Sequence, residues 1–228
     1  MTQVSPQLYD LTSGVNKYLF MLSQMALNES WQNNLDPAIW SWVNPATPAG
    51  AWNVANLYAN ATMLLNENCR LRTNMRWDIR PLAGMTDSHV ILKQHMKWES
   101  QVSSDTDLVV ANCFMGFSTG AADIGTANDI IGFRYINPGG GVTVEAVCDA
   151  AGVETAVTIA GITVTDLHKF EIVVKTGGVE FWIDNIHRTT IITNLSDAVR
   201  FANLYWACGA GGGAVTYVGY VNIYPEID

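Results

Sequence analysis

Apolar and polar residues alternate strictly between His89 and Glu99. Val90, Leu92, Gln94, Met96 and Trp98 fall on one side, and His89, Ile91, Lys93, His95, Lys97 and Glu99 on the other. A period of two is the signature of a strand with two different faces. The clearest stretch is Lys169–Ile192. Phe170, Ile172 and Val174 alternate with Glu171, Val173 and Lys175, and Thr176-Gly177-Gly178 then supplies the positive-φ positions of a tight turn. Val179, Phe181 and Ile183 alternate in turn with Glu180, Trp182 and Asp184, and Asp184-Asn185 turns the chain into Ile186–Ile192. Asn112–Ser118 and Asp129–Asn137 read as further strands, parted by a loop of small residues over 119–128. Pro138-Gly139-Gly140-Gly141 then turns into a strand over Val142–Cys148. Phe201–Pro225 carries no charge and is broken by Gly211-Gly212-Gly213, so it reads as two strands and a turn. Short strands with turn signals and no helical segment between them predict an antiparallel sandwich.

The first thirty residues follow another period. Val4, Leu8, Leu11, Val15, Tyr18, Leu22 and Met25 recur at alternating steps of four and three, one apolar stripe on a helix. Ser5-Pro6 suits its start, Ser as cap and Pro in the first turn. Residues 31–60, rich in Asn, Pro, Ala and Trp, show no clean period and are expected to wrap irregularly. The division expected is therefore 1–60, a helical and irregular segment packing on the domain or on a neighbouring subunit, and 61–228, the sandwich. Leu8, Leu11, Val15, Tyr18, Leu22 and Met25 are the candidate subunit contacts.

Composition narrows the function. The 228 residues carry 12 Lys+Arg against 21 Asp+Glu, a net charge of −9, which argues against nucleic-acid binding. Charged residues reach only 14% and apolar ones 49%, which excludes disorder. So little charge fits extensive contact with other subunits, or a surface covered by Asn, Thr, Ser and Gly. No export signal or membrane span is expected. Cys69, Cys113, Cys148 and Cys208 lie far apart, so buried free thiols are expected rather than a metal or redox pair.

A family likeness rests on the hairpin Lys169-Phe-Glu-Ile-Val-Val-Lys-Thr-Gly-Gly-Val-Glu-Phe-Trp-Ile-Asp-Asn. It is carried also by Phe114-Met-Gly-Phe-Ser, Asp129-Ile-Ile-Gly-Phe-Arg-Tyr and Tyr217-Val-Gly-Tyr-Val-Asn-Ile. Together these resemble the concanavalin-A-like (laminin-G-like) jelly roll over residues 65–228, with Asn185 where the family has Gly. The resemblance implies an all-β, antiparallel jelly-roll sandwich. It is similar to such domains in virion proteins of tailed bacteriophages, which implies a structural, non-enzymatic capsid-decoration or tail role in the virion. The partners expected are other virion proteins and further copies of the chain. The alternative is a carbohydrate-binding module for host attachment, taking a glycan; a glycoside hydrolase is the third reading.

Chemistry is sparse. A hydrolase of this fold needs paired carboxylates, and the jelly-roll glucanase pattern Glu-x-Asp-x-x-Glu is absent. Glu180 and Asp184 share a strand face about 13 Å apart, wider than the roughly 5–9.5 Å such pairs use. His89 and His95 fall about 20 Å apart on a strand, too far to share a metal. Asp123 and Asp129 flank a loop that is the nearest candidate for a cation. No phosphate-binding loop, dinucleotide fingerprint or Gly-x-Ser-x-Gly occurs, and His168 and His187 stand singly. No catalytic residue, metal or cofactor is expected. Trp182 is the exception to the bland pattern, an aromatic between Glu180 and Asp184 on the polar face. It is the candidate contact residue for a sugar or a protein, with Glu180, Tyr135 and Trp206 as companions.

Overall fold

A computed structural model describes residues 27–29, 40–43, 52–55, 58–63, 68–77, 88–100, 112–119, 129–136, 143–164, 166–195, 200–207 and 214–227. Among the described residues there are fifteen strands and no helix. They are β1 (Leu27–Glu29), β2 (Trp40–Val43), β3 (Trp52–Ala55), β4 (Tyr58–Met63), β5 (Asn68–Trp77), β6 (Ser88–Ser100), β7 (Asn112–Ser118) and β8 (Ile130–Ile136). There follow β9 (Thr143–Ala150), β10 (Val153–Ile159), β11 (His168–Lys175), β12 (Gly178–Ile183), β13 (Ile186–Ile191), β14 (Arg200–Ala207) and β15 (Ala214–Ile227). The first sheet runs β13-β12-β11-β6-β15-β4-β3, with β1 also on β15, and the second runs β10-β9-β8-β7-β14-β5-β2. Neighbours such as β11 and β6, or β7 and β14, are antiparallel but distant in sequence. The chain crosses repeatedly between the layers, as in a jelly roll.

The alternation of β11 and β12 decides which side of the first sheet is core. Phe170, Ile172, Val174, Val179, Phe181 and Ile183 are buried, and they meet the second sheet through edge-on aromatic pairs. Phe133 lies 5.0 Å from Phe170 and 5.1 Å from Phe181, and Tyr135 lies 6.0 Å from Phe170. Such pairs add about 0.5–1.5 kcal/mol each beyond the area they bury. Val221 and Ile223 of β15 are buried beside Phe170 and Ile172 through the shared registers of β6. The residues between, Glu171, Glu180 and Trp182, therefore face away from the second sheet.

Turns close the strands in two ways. Asp184 (φ 55°) and Asn185 (φ 63°) are both left-handed, the requirement of a two-residue type I′ hairpin, so the β12–β13 turn forms as expected. The turn at Thr176-Gly177 also forms, but Gly177 and Gly178 do not have positive φ. Gly178 is there for space: a Cβ on it would lie 3.0 Å from the carbonyl oxygen of Ile191 on β13.

The expected irregular wrap over 31–60 is corrected. β2 and β3 are strands, β2 ending the second sheet beside β5 and β3 ending the first beside β4. Trp40 is buried. Four-residue strands are too short for a period of two to stand out from the Asn, Pro and Ala around them. The expected boundary at 60/61 falls inside β4. The helical stripe from Val4 to Met25, with its candidate contacts from Leu8 onwards, lies outside the described residues.

Candidate functional site

Trp182 sits near one edge of the first sheet, on the face turned from the core, and its side chain is half-buried. Its indole N–H donates to Glu180 Oε2 at 3.2 Å, and Lys175 Nζ donates to the other carboxylate oxygen at 2.8 Å. The His187 ring meets the indole edge-on, with centroids 5.0 Å apart and planes at 69°. His187 Nε2 is 2.9 Å from Thr190 Oγ1. Cross-strand register places Glu171 beside Trp182 on β11, and Lys169 Nζ lies 3.4 Å from the Glu171 carboxylate. The face around the indole thus holds two lysine-paired carboxylates, an imidazole and a hydroxyl.

Partial burial pushes the Glu180 carboxyl up. The hydrogen bonds from Lys175 and Trp182, with the charge of Lys175, outweigh it and hold the group below the usual carboxylate range. Glu180 is therefore an acceptor and not a proton donor near neutral pH.

Asp184, the other half of the sequence-level carboxylate pair, does different work. It accepts the Lys169 backbone N–H at 2.9 Å, and its second oxygen lies 2.7 Å from His168 Nδ1. His168 Nε2 reaches the Thr163 carbonyl oxygen at 3.0 Å. Burial opposes ionisation of Asp184, but the Lys169 N–H, His168 and the nearby Arg188 charge hold it below its ordinary value. Asp184 pins the end of the β11–β12 ribbon.

The second sheet carries a separate cluster on its own outer face. Arg134 Nε donates to Glu145 Oε2 at 2.7 Å, and its two terminal nitrogens donate to the two oxygens of Glu154 at 2.7 Å each. Burial disfavours the guanidinium charge, yet the two carboxylates more than restore it and raise its pKa. Beside this cluster Phe114, Ile130 and Val147 form a small buried apolar group. Asp129 Oδ1 accepts the Ala151 N–H at 2.7 Å, which occupies the described half of the candidate cation loop; Asp123 lies outside the described residues. No group of three or more His, Cys, Asp or Glu side chains that could hold a metal occurs among the described residues.

Of the expected contact residues, the structure brings Trp182 and Glu180 together. Tyr135 is corrected: it is 1% exposed and packs on Phe170, because it shares the inward face of β8 with Ile131 and Phe133. Trp206 pairs in register with Cys113, itself opposite Tyr135, and its side chain lies outside the described residues. The structure adds Lys175, Glu171 and His187 to the surroundings of Trp182. Lys175 and Glu171 were legible from the hairpin's alternation, whereas His187 reaches the indole through a bulge that no pattern announces.

No protein-family model and no curated protein sequence matches the chain. Solved structures do match. The Bacillus licheniformis β-glucanase aligns at TM-score 0.62 and 12% identity, over 89% of this chain and 99% of that one. The Emp47p carbohydrate recognition domain aligns at 0.65 and 10%, over 90% and 96%. Rv0315 of Mycobacterium tuberculosis, a pseudo β-1,3-glucanase, aligns at 0.61 and 14%, over 89% and 99%. Identities this low show the fold: the chain is an antiparallel jelly-roll sandwich of the concanavalin-A-like class. The expectation of a virion structural protein is corrected by the same finding. It rested on the fold's resemblance, and the similar structures are mostly glucanases and laminarinases, with a carbohydrate recognition domain among them.

Proposed function

We propose that the chain is a carbohydrate-binding domain that does not hydrolyse its ligand. The carrying observation is the half-buried Trp182, hydrogen-bonded to Glu180 and in ring contact with His187 on the sheet face turned from the core. An indole presents a flat apolar surface to the C–H face of a pyranose. The Glu180 and Glu171 carboxylates and the Thr190 hydroxyl are acceptors of the kind sugar hydroxyls need. The likeness to glucanases and to the Emp47p carbohydrate recognition domain supports the same reading.

Hydrolysis is disfavoured by the electrostatics. A glycosidase needs one carboxyl kept protonated as general acid beside a second that stays ionised. Here Glu180 is tied to Lys175 and Glu171 to Lys169, while Glu145 and Glu154 share Arg134. At Glu180 the Lys175 and Trp182 donors hold the carboxyl in its charged form, the reverse of what a general acid requires.

The test is calorimetric titration with barley β-1,3-1,4-glucan, laminarin and mucin O-glycans, alongside reducing-sugar release. Binding to at least one, weakened about tenfold or more by Trp182→Ala, is expected, a loss near 1.4 kcal/mol of stacking. Sugar release abolished by Glu180→Gln, or binding indifferent to Trp182→Ala, overturns the proposal.

A further inference from the structure

The pairing of β12 with β13 is regular from Val179↔Ile191 to Phe181↔Thr189, then slips, so that Trp182 stands opposite His187. Without the slip Arg188 would face the indole. A bulge of this kind re-aims a side chain at the cost of a disrupted ladder, and such bulges concentrate beside functional sites. What it achieves here is a closed circuit. Trp182 donates to Glu180, Glu180 pairs in register with Thr190, Thr190 holds His187, and His187 abuts Trp182. Lys175 fastens the circuit from outside through the free oxygen of Glu180.

We infer that Glu180 is the positioning residue that fixes the Trp182 indole for glycan contact, with Lys175 holding Glu180 and His187 packed against the indole. The inference rests on the carbohydrate-binding reading. A tryptophan side chain has two rotatable bonds, and fixing both before binding lowers the entropy that association costs. The circuit has a second consequence: the indole N–H is committed to Glu180, so the ring offers the ligand its face and not its donor.

The experiment uses the full ¹⁵N-labelled chain. The Trp182 indole N–H resonance is assigned by its disappearance in Trp182→Phe, and its solvent exchange is followed in Glu180→Ala and Glu180→Gln. Affinity for barley β-1,3-1,4-glucan is measured on the same samples. In Glu180→Ala the resonance should shift and exchange about tenfold faster, with affinity weakened severalfold, since a charge-assisted hydrogen bond is lost. Glu180→Gln keeps an acceptor and should restore the resonance and most of the affinity. An indole resonance unmoved by Glu180→Ala overturns the inference, and so does a displaced resonance with wild-type affinity. Failure of the wild-type chain to bind the glucan and the other glycans named above is a different result: it removes the carbohydrate reading itself.

Discussion

Single residues in this sandwich are constrained more by their opposite neighbours than by their own type. Gly132 on β8 is an example. A Cβ there would lie 2.4 Å from the Met115 carbonyl oxygen and 2.6 Å from two atoms of the Phe114 ring. The carbonyl belongs to the adjacent strand and cannot rotate aside, so Gly132→Ala should cost about 1–3 kcal/mol, typical of forced overpacking. Urea unfolding of the variant measures this, and an unchanged midpoint would mean that the two strands are farther apart. Truncating Phe181, 0% exposed and edge-on to Phe133, should cost more, about 3–5 kcal/mol. Tyr135 and Trp182 show how far residue type alone reaches. Both are aromatics with a polar atom, but Trp182 falls on the polar side of a cleanly alternating hairpin and was legible as outward-facing. β8 has Ile130 and Ile131 adjacent and both buried, and Arg134 is its one charged position, so its pattern separated Tyr135's side from the other far less cleanly than the hairpin's did.

At the scale of elements, the ends of ribbons are fastened by side chains reaching from one strand to the next. Asp184, the first residue of the β12–β13 turn, joins that turn to the first residues of β11, and Glu180 joins β12 to Lys175. Both carboxyls sit below their ordinary values in the folded chain. Groups depressed in this way stabilise the fold fully above their unfolded pKa, roughly 3.9 for Asp and 4.3 for Glu. That contribution is lost as the pH falls below those values and through the lower folded ones. Denaturant midpoints measured from pH 7 to pH 2 should therefore be flat down to about pH 5 and then decline. Asp184→Asn and Glu180→Gln should each make the acid decline shallower, and a steeper decline in either would contradict the assignment. A second fastening joins the two sheets. Thr155 of β10 lies 2.9 Å from Thr193 Oγ1 and accepts from Asn194 Nδ2 at 2.8 Å. Asn194 has φ 55°, which Asn tolerates and a β-branched residue does not. Asn194→Val should therefore destabilise more than Asn194→Gly in thermal melts, because Gly loses the hydrogen bond but keeps the backbone. Strands as long as β6 and ribbons as regular as β11–β12 announce themselves by period. The four residues of β2 and β3 cannot, and their places at the sheet ends follow from β5 and β4 as templates.

For the whole molecule, fold and function separate. Alternation and turns were enough to reach the sandwich, because burying one face of each sheet leaves few arrangements for strands without helices. The same architecture carries glucanases and a carbohydrate recognition domain, so the sandwich leaves activity undecided, and only the placement of particular groups bears on it. That placement was half visible. Trp182 and Glu180 belong to one strand, whereas the pairing of Glu145 and Glu154 through Arg134 needed the registers of three strands. The charge balance gives a further test of the glycan reading. The net charge is −9, and the two carboxylates beside Trp182, Glu171 and Glu180, are each paired with a lysine. At low ionic strength the chain's field repels polyanions, and this repulsion reaches about 30 Å at 0.01 M salt but only about 3 Å at 1 M. Neutral β-glucan should therefore bind with nearly the same affinity at 0.01 M and 1 M salt, while alginate and carrageenan should be excluded at the lower concentration. Affinity electrophoresis at the two salt levels decides it: retention by the acidic polysaccharides that exceeds retention by the neutral one would place a cationic site elsewhere on the molecule and remove Trp182 from the centre of recognition.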